Sequence, residues 1–306
     1  MKYLTYIIIG TVVLLAPFYF YPTILMQILC FALFASAFNL LFGYTGLLSF
    51  GHAAFFGFAA YISGFAAKEM GFTPEFAILS GALIGGFLGL AIGALAVRQQ
   101  GIIFAMITFA LAEVVYFICL RAPFTGGEDG LQSVPRGYLF GLIDLSSSLR
   151  MYYFVLAIFI ISVLSLYRIV HSPFGQVLKA IRENENRAIS MGYKTQQYKL
   201  LAFVLSAFFS GVAGATKTLV FQLATLTDVH WHKSGEVVLM TLLGGLGTFT
   251  GPWVGSAFVI ALNDGLADIG EWVPFILGAV FVVCVLLFRK GIVGYIDLYL
   301  RKTGKQ

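Results

Sequence analysis

Runs of about 20 apolar residues recur from one end of this chain to the other. Each is long enough to cross the roughly 30 Å hydrocarbon core of a bilayer as a helix. Of the 306 residues, 59% are hydrophobic and only 11% charged, whereas a soluble domain carries about 25% charged residues. In lipid every backbone polar group must be satisfied internally, so a spanning segment is a helix or a strand of a closed barrel. The short alternating segments of a barrel are absent. The expected fold is therefore an all-α, polytopic integral membrane helical bundle with about ten membrane segments. It forms a single transmembrane domain over residues 1–306, with a polar insert at 171–199. The spans are expected at about 3–20, 23–42, 53–67, 76–97, 101–120, 151–170, 200–222, 236–247, 253–265 and 272–289. Tyr3–Phe20 lacks a convincing cleavage site and is followed at once by another apolar run, which suggests a retained span rather than a signal peptide. Cys30, Cys119 and Cys284 each lie inside an apolar run and read as small core residues.

Charge gives the topology. The net charge of +5 is clustered in a few loops, as membrane orientation requires, and is no sign of nucleic-acid binding. If 171–199 is cytoplasmic, counting spans backward places Arg98 and Lys2 on the cytoplasmic side. The loop holding Lys68, Glu69 and Glu75 and the loop 121–150 then fall outside. Counted as one span, 236–265 would put Arg289, Lys290, Arg301, Lys302 and Lys305 outside, against the positive-inside rule. Two half-length segments broken at Gly244-Gly245-Leu246-Gly247-Thr248-Phe249-Thr250-Gly251-Pro252 put that tail inside. A broken or re-entrant helix pair is thus expected there, with both termini cytoplasmic. A similar interruption, Gly43 to His52, separates two apolar segments in the first half. Paired Gly-rich interruptions in the halves of a transporter point to its substrate path; the alternative is a pair of tight turns. The path candidates are Gly43, Tyr44, Thr45, Gly46, Ser49, His52, Gly244, Gly245, Gly247 and Thr248.

Other residues divide between structure and chemistry. Gly81, Gly85, Gly89 and Gly93 recur at four-residue spacing and leave one helix face bare for close packing. Glu113 lies deep in a span, where a lone carboxylate must face the bundle interior or a cavity; it reads either as a structural anchor or as a path residue. Lys217, near the outer end of its span, either snorkels to the interface or faces a vestibule as a cation. Asp264 and Asp268 lie at a boundary and are expected to face water. His230 and His232 flank Trp231 in an outer loop, a weak metal signal; no metal site is expected. Thr125-Gly126-Gly127-Glu128-Asp129-Gly130-Leu131 is an acidic turn in the longest outer loop. Gly211-Val-Ala-Gly-Ala-Thr-Lys217-Thr218 nearly matches a phosphate-binding loop. Thr216 stands where the second Gly must be, and no strand precedes it. No other stretch supplies a nucleotide site, so any ATP used must bind a partner chain.

The insert has seven charged residues, five of them basic (Lys179, Arg182, Arg187, Lys194 and Lys199). Ser172 is placed as an N-cap, Pro173 as the first helical residue and Gly192 as a stop. Phe174, Val177, Leu178 and Ile181 keep helical spacing, and Glu183 with Arg187 forms an i,i+4 pair in the better orientation. The stripe falters at Asn184–Asn186, which predicts a kink or two short helices. By itself this is either an amphipathic surface helix or a docking element for a soluble partner.

Residues 36–61 (SAFNLLFGYTGLLSFGHAAFFGFAAY) and 172–203 (SPFGQVLKAIRENENRAISMGYKTQQYKLLAF) resemble the LivM-type permease of bacterial branched-chain amino acid ABC importers. LLGGLGTFTGP (242–252) and TGGEDGL (125–131) are similar to that family's patterns as well. The wider family includes permeases for urea, short amides and ribose-type sugars. The resemblance implies a non-enzymatic subunit in the bacterial inner membrane. Its implied partners are a second, LivH-like permease, two cytoplasmic ATPases that bind ATP and Mg, and a soluble periplasmic or extracellular substrate-binding protein. It implies inward transport of branched-chain or other small neutral amino acids by alternating access, and 171–199 as the coupling loop. Arg182, Glu183, Asn184, Glu185, Arg187, Ala188 and Gly192 correspond to the segment seated in the ATPase groove. A urea or short-amide permease and an ion-coupled carrier with Glu113 as proton site are the alternatives.

Overall fold

The computed structural model describes residues 14–266 and scattered positions between 272 and 295. Most of the expected spans 3–20 and 272–289 lie outside the described residues, as do Lys2, Asp268, Cys284 and the basic tail. The remaining spans are helices close to their expected bounds. They are α1 (Pro22–Thr45), α2 (His52–Lys68), α3 (Pro74–Ala96), α4 (Gly101–Arg121), α5 (Ser148–His171) and α8 (Thr195–Phe221), followed by α10 (Trp231–Gly244) and α11 (Gly251–Gly265). The insert supplies α6 (Pro173–Glu183) and α7 (Glu185–Ser190), and α9 is the single turn Leu226–Val229. Among the described residues, five helices (α1, α3, α4, α5 and α8) are long and apolar enough to cross a membrane.

The centre is built from α1, α2 and α8, which pack on one another and are buried along most of their length. Around them α3, α4 and α5 present Leu83, Phe87, Ile102, Met106, Ile161 and Leu164 outward. An apolar outer surface of this kind suits lipid, where helices associate by close packing rather than by escaping water. The glycine stripe of α3 meets α8. A Cβ built at Gly89 would lie 2.3 Å from the Cβ of Ala207, and one at Gly85 would lie 3.1 Å from the Cα of Gly211. Ala207, Gly211 and Ala215 form a matching stripe of small residues on α8, at the same four-residue spacing.

The region 236–265 is two helices, not one. At 14 and 15 residues, α10 and α11 reach only about 21–23 Å at 1.5 Å per residue, short of a full crossing. Cβ atoms built at Gly244 and Gly255 would lie 1.8 Å from the carbonyl oxygens of Gly251 and Met240. These contacts, one nearer the turn and one farther from it, define an antiparallel hairpin closed by residues 245–250. At the end opposite the insert, four two-residue strands not foreseen in the sequence form two small ladders. One joins Leu131–Gln132 to Leu223–Ala224 and the other joins Tyr138–Leu139 to Ile143–Asp144.

Candidate functional site

The insert folds as its cap residues dictate. Ser172 has an extended backbone and its Oγ accepts the Gly175 N–H at 3.4 Å, while Pro173 takes the first helical position. The first helix stops at Glu183 because Asn184 is extended. Asn184 Oδ1 then caps α7 by accepting the Arg187 N–H at 3.0 Å. The expected break at Asn184–Asn186 is therefore a helix end and a new N-cap. The same break undoes the expected Glu183–Arg187 pair: the two residues sit on different helices, and no ion pair joins them among the described residues. Gly192, at φ +88°, follows the turn that ends α7.

The insert has two faces. Leu178 is buried in the main core of the bundle, and Val177, Ile181 and Ala188 form a small buried cluster of their own against Tyr198. Glu185 also points inward: its carboxylate takes a 2.5 Å bond from Lys199 Nζ in the first turns of α8 and a 2.8 Å bond from Gln100 Nε2 in the α3–α4 turn. Lys199 is only 3% exposed at its side chain, so Glu185 is what makes that buried ammonium tolerable. Glu183, Arg187, Ile189 and Met191 face outward. Beside them, Phe174, Gln176, Val177, Met191, Tyr193 and Tyr198 line an open groove of about 950 Å³.

Arg182 links the insert to both Gly-rich interruptions. Its Nη1 donates to the carbonyl oxygen of Gly43. Gly43 lies in the last turn of α1, where carbonyls have no helical partner and carry the negative end of the helix dipole. Gly46, at φ +79°, closes α1 by donating its N–H to Phe42 O. From the other interruption, Gly247 approaches so closely that a Cβ on it would lie 3.0 Å from Arg182 Nη1. Asn39, buried on α1, joins the two interruptions. Its Oδ1 accepts the Gly247 N–H at 3.1 Å and its Nδ2 donates to Thr248 O at 2.8 Å. Gly43, Gly46, Gly244, Gly245, Gly247 and Thr248 are thus gathered at the insert end, with Tyr44 and Thr45 buried beside them. Gly291 packs there too, its ideal Cβ 2.3 Å from the Cα of Gly245.

Ser49 and His52 lie deeper and are fully buried. The stretch after α1 turns back into the bundle. His52 Nε2 and Ser206 Oγ are 2.8 Å apart, and Ser206 in turn donates to Ala37 O at 2.6 Å. Nearby, Ala53 N donates to Ser234 Oγ at 2.9 Å, so the N-termini of α2 and α10 meet inside the bundle. A mostly apolar cleft of about 440 Å³ opens between residues 46–50 and the start of α4. Glu113, on α4, is half-buried and makes no hydrogen bond or ion pair among the described residues.

Lys217 has a partner the sequence reading did not consider. Its Nζ is 2.5 and 2.6 Å from the two carboxylate oxygens of Asp228 in α9, and Asp228 is 1% exposed. Thr225 Oγ1 donates to the same carboxylate at 3.0 Å. His230 caps α10 and packs edge-on to Tyr116, and Trp231 packs on Phe109. Asn39, Gln100, Ser206 and Asp228 were all missed as site residues. Asn39 carried a usable signal, since a polar side chain inside an apolar segment needs a partner; Asp228, in the loop 223–235, carried none.

The bundle, its short helical hairpin and its polar two-helix insert define a multi-pass helical membrane protein. The family described as branched-chain amino acid transport system / permease component matches residues 20–285, and the chain belongs to that family. It is similar to the high-affinity branched-chain amino acid transport system permease protein LivM of Salmonella typhimurium strain LT2. The two are 24% identical over 277 residues, which cover 83% of this chain and 65% of the relative. LivM of Escherichia coli K12 gives the same identity and coverage. The ribose import permease protein RbsC of Bacillus subtilis strain 168 is 28% identical over 196 residues, covering 59% of this chain and 58% of the relative. The chain thus spans slightly less than two thirds of the length of these LivM relatives. No solved structure matches it.

Proposed function

We propose that this chain is the permease subunit of an ATP-driven importer of branched-chain or other small neutral amino acids. The observation that carries the reading is the two-faced insert. One face is packed on the bundle and bonded to the end of α1, and the other leaves Glu183, Arg187, Ile189 and Met191 free beside an open groove. A helix pair of this form is a handle by which a soluble motor could move the membrane helices. In this reading 171–199 is a cytoplasmic coupling loop within a single permease domain, and the basic tail lies on the same side of the inner membrane. ATP and Mg bind two partner ATPases, a second LivH-like permease completes the membrane unit, and a soluble binding protein delivers the substrate from outside. The two Gly-rich interruptions border the path, with Glu113 facing it.

The test is uptake into proteoliposomes holding the complex that copurifies with this chain. Labelled leucine should accumulate only with ATP, and excess isoleucine or valine should compete. Competition by urea or acetamide, with none by leucine, would move the substrate to the short-amide class. Gradient-driven uptake by the chain alone would overturn the ATP-driven reading.

A further inference from the structure

We propose that Arg182 is the positioning residue through which movement of the insert reaches both Gly-rich interruptions; this rests on 171–199 being the coupling element. Arg182 belongs to the exposed side of α6, yet its guanidinium turns inward. It meets the Gly43 carbonyl, an acceptor that the helix itself leaves unpaired. A cation at a helix C-terminus is favoured by the dipole as well as by the hydrogen bond. The stem of Arg182 covers the turn after α1, its Cγ 3.3 Å from an ideal Cβ at Gly46. Its tip touches the second interruption at Gly247. One side chain therefore bears on three glycines in two loops that are more than 200 positions apart in sequence.

Two further contacts make this junction a unit. Asn39 bonds both Gly247 and Thr248, so the hairpin turn cannot leave α1 without losing two partly buried hydrogen bonds. Lys179, one helical turn before Arg182, lies 5.7 Å from the ring centroid of Tyr44 and keeps α6 alongside the same end of α1. Pulling α6 away would carry the Gly43 carbonyl and, through Asn39, the Gly244–Thr250 turn with it. Glu185 has a separate task. Its partners are Lys199 and Gln100, on α8 and the α3–α4 turn, so it fastens the insert to the bundle without touching either interruption.

The experiment compares Arg182→Ala, Arg182→Lys, Asn39→Ala and the double variant Arg182→Ala/Asn39→Ala in the copurified complex. The readout is the number of leucine molecules imported per ATP hydrolysed. Arg182→Ala is expected to lower that ratio at least tenfold in complexes that retain their ATPases. Arg182→Lys, which can still reach the carbonyl, should recover part of it. Asn39→Ala should also lower the ratio, and the double variant should be no worse than the worse single one, because both act through one junction. An unchanged ratio in Arg182→Ala, or fully additive losses in the double variant, would overturn the inference. Should Arg182→Ala fail to assemble, Asn39→Ala decides: an unchanged ratio there equally overturns it. Failure of the underlying reading looks different, because import would then proceed in the wild-type chain without any ATPase.

Discussion

Arg182 and Lys217 are both cations set against an apolar bundle, and they are held in opposite ways. Lys217 meets a full counter-charge, Asp228, in a closed site with Thr225 as a third member. Arg182 meets only a backbone carbonyl, in an open site between two glycine loops. A buried ion pair is costly to break because each partner leaves an uncompensated charge behind. Breaking a guanidinium–carbonyl contact costs about one charge-assisted hydrogen bond and leaves no second charge unpaired. At the Lys217 end α9 is bound to α8 by a buried ion pair; at the insert end the Glu185–Lys199 pair fastens α7 in the same way, while Arg182 reaches the glycine loops through one charge-assisted hydrogen bond.

The contrast is most easily broken at Asp228. Asp228→Ala leaves the Lys217 ammonium mostly buried and unpaired, and should destabilise the protein by about 3–5 kcal/mol. The loss would appear as lower recovery and an earlier thermal transition in detergent. Lys217→Met combined with Asp228→Leu should restore most of it, since apolar replacement of a buried pair is often neutral. Next comes the seam between α3 and α8. Gly89→Leu forces a side chain into the 2.3 Å approach to Ala207 and should cost about 1–3 kcal/mol, measured in the same melt. Arg182→Ala should cost only about 1.5 kcal/mol, the size of one charge-assisted hydrogen bond, while the expected loss of coupling is large. A loss comparable to that of Asp228→Ala would erase the distinction between the two cations. Glu183→Lys with Arg187→Glu, both exposed and on separate helices, should change stability by less than about 0.5 kcal/mol.

The parts legible in the sequence were those set by local rules. Apolar length marked α1 to α5 and α8, Ser172-Pro173 marked the start of the insert, and Asn184 its break, because caps and backbone preferences act over a few residues. The broken hairpin was legible for a different reason. The positive-inside rule, applied to the basic tail, called for an extra half-crossing there. What was hidden lies between distant segments. Nothing near Arg182 in sequence says that its guanidinium turns inward to Gly43, and nothing near Lys217 says that α9 folds back to deliver Asp228. The expected Glu183–Arg187 pair failed because the i,i+4 rule needs an unbroken helix, and the break recognised at Asn184 lies between them. Glu185, grouped in the sequence with outward-facing residues, turns inward because α7 starts a new helical phase.

The central claim is that the outward face of the insert receives the motor while its inward face holds the membrane helices. Copurification of the ATPases with the Glu183→Lys/Arg187→Glu variant, purified under the same conditions as the wild type, tests it most directly. The account predicts a permease that folds and melts like the wild type but retains less than about a tenth of the bound ATPase. Wild-type amounts of ATPase on that variant, with transport intact, would contradict it.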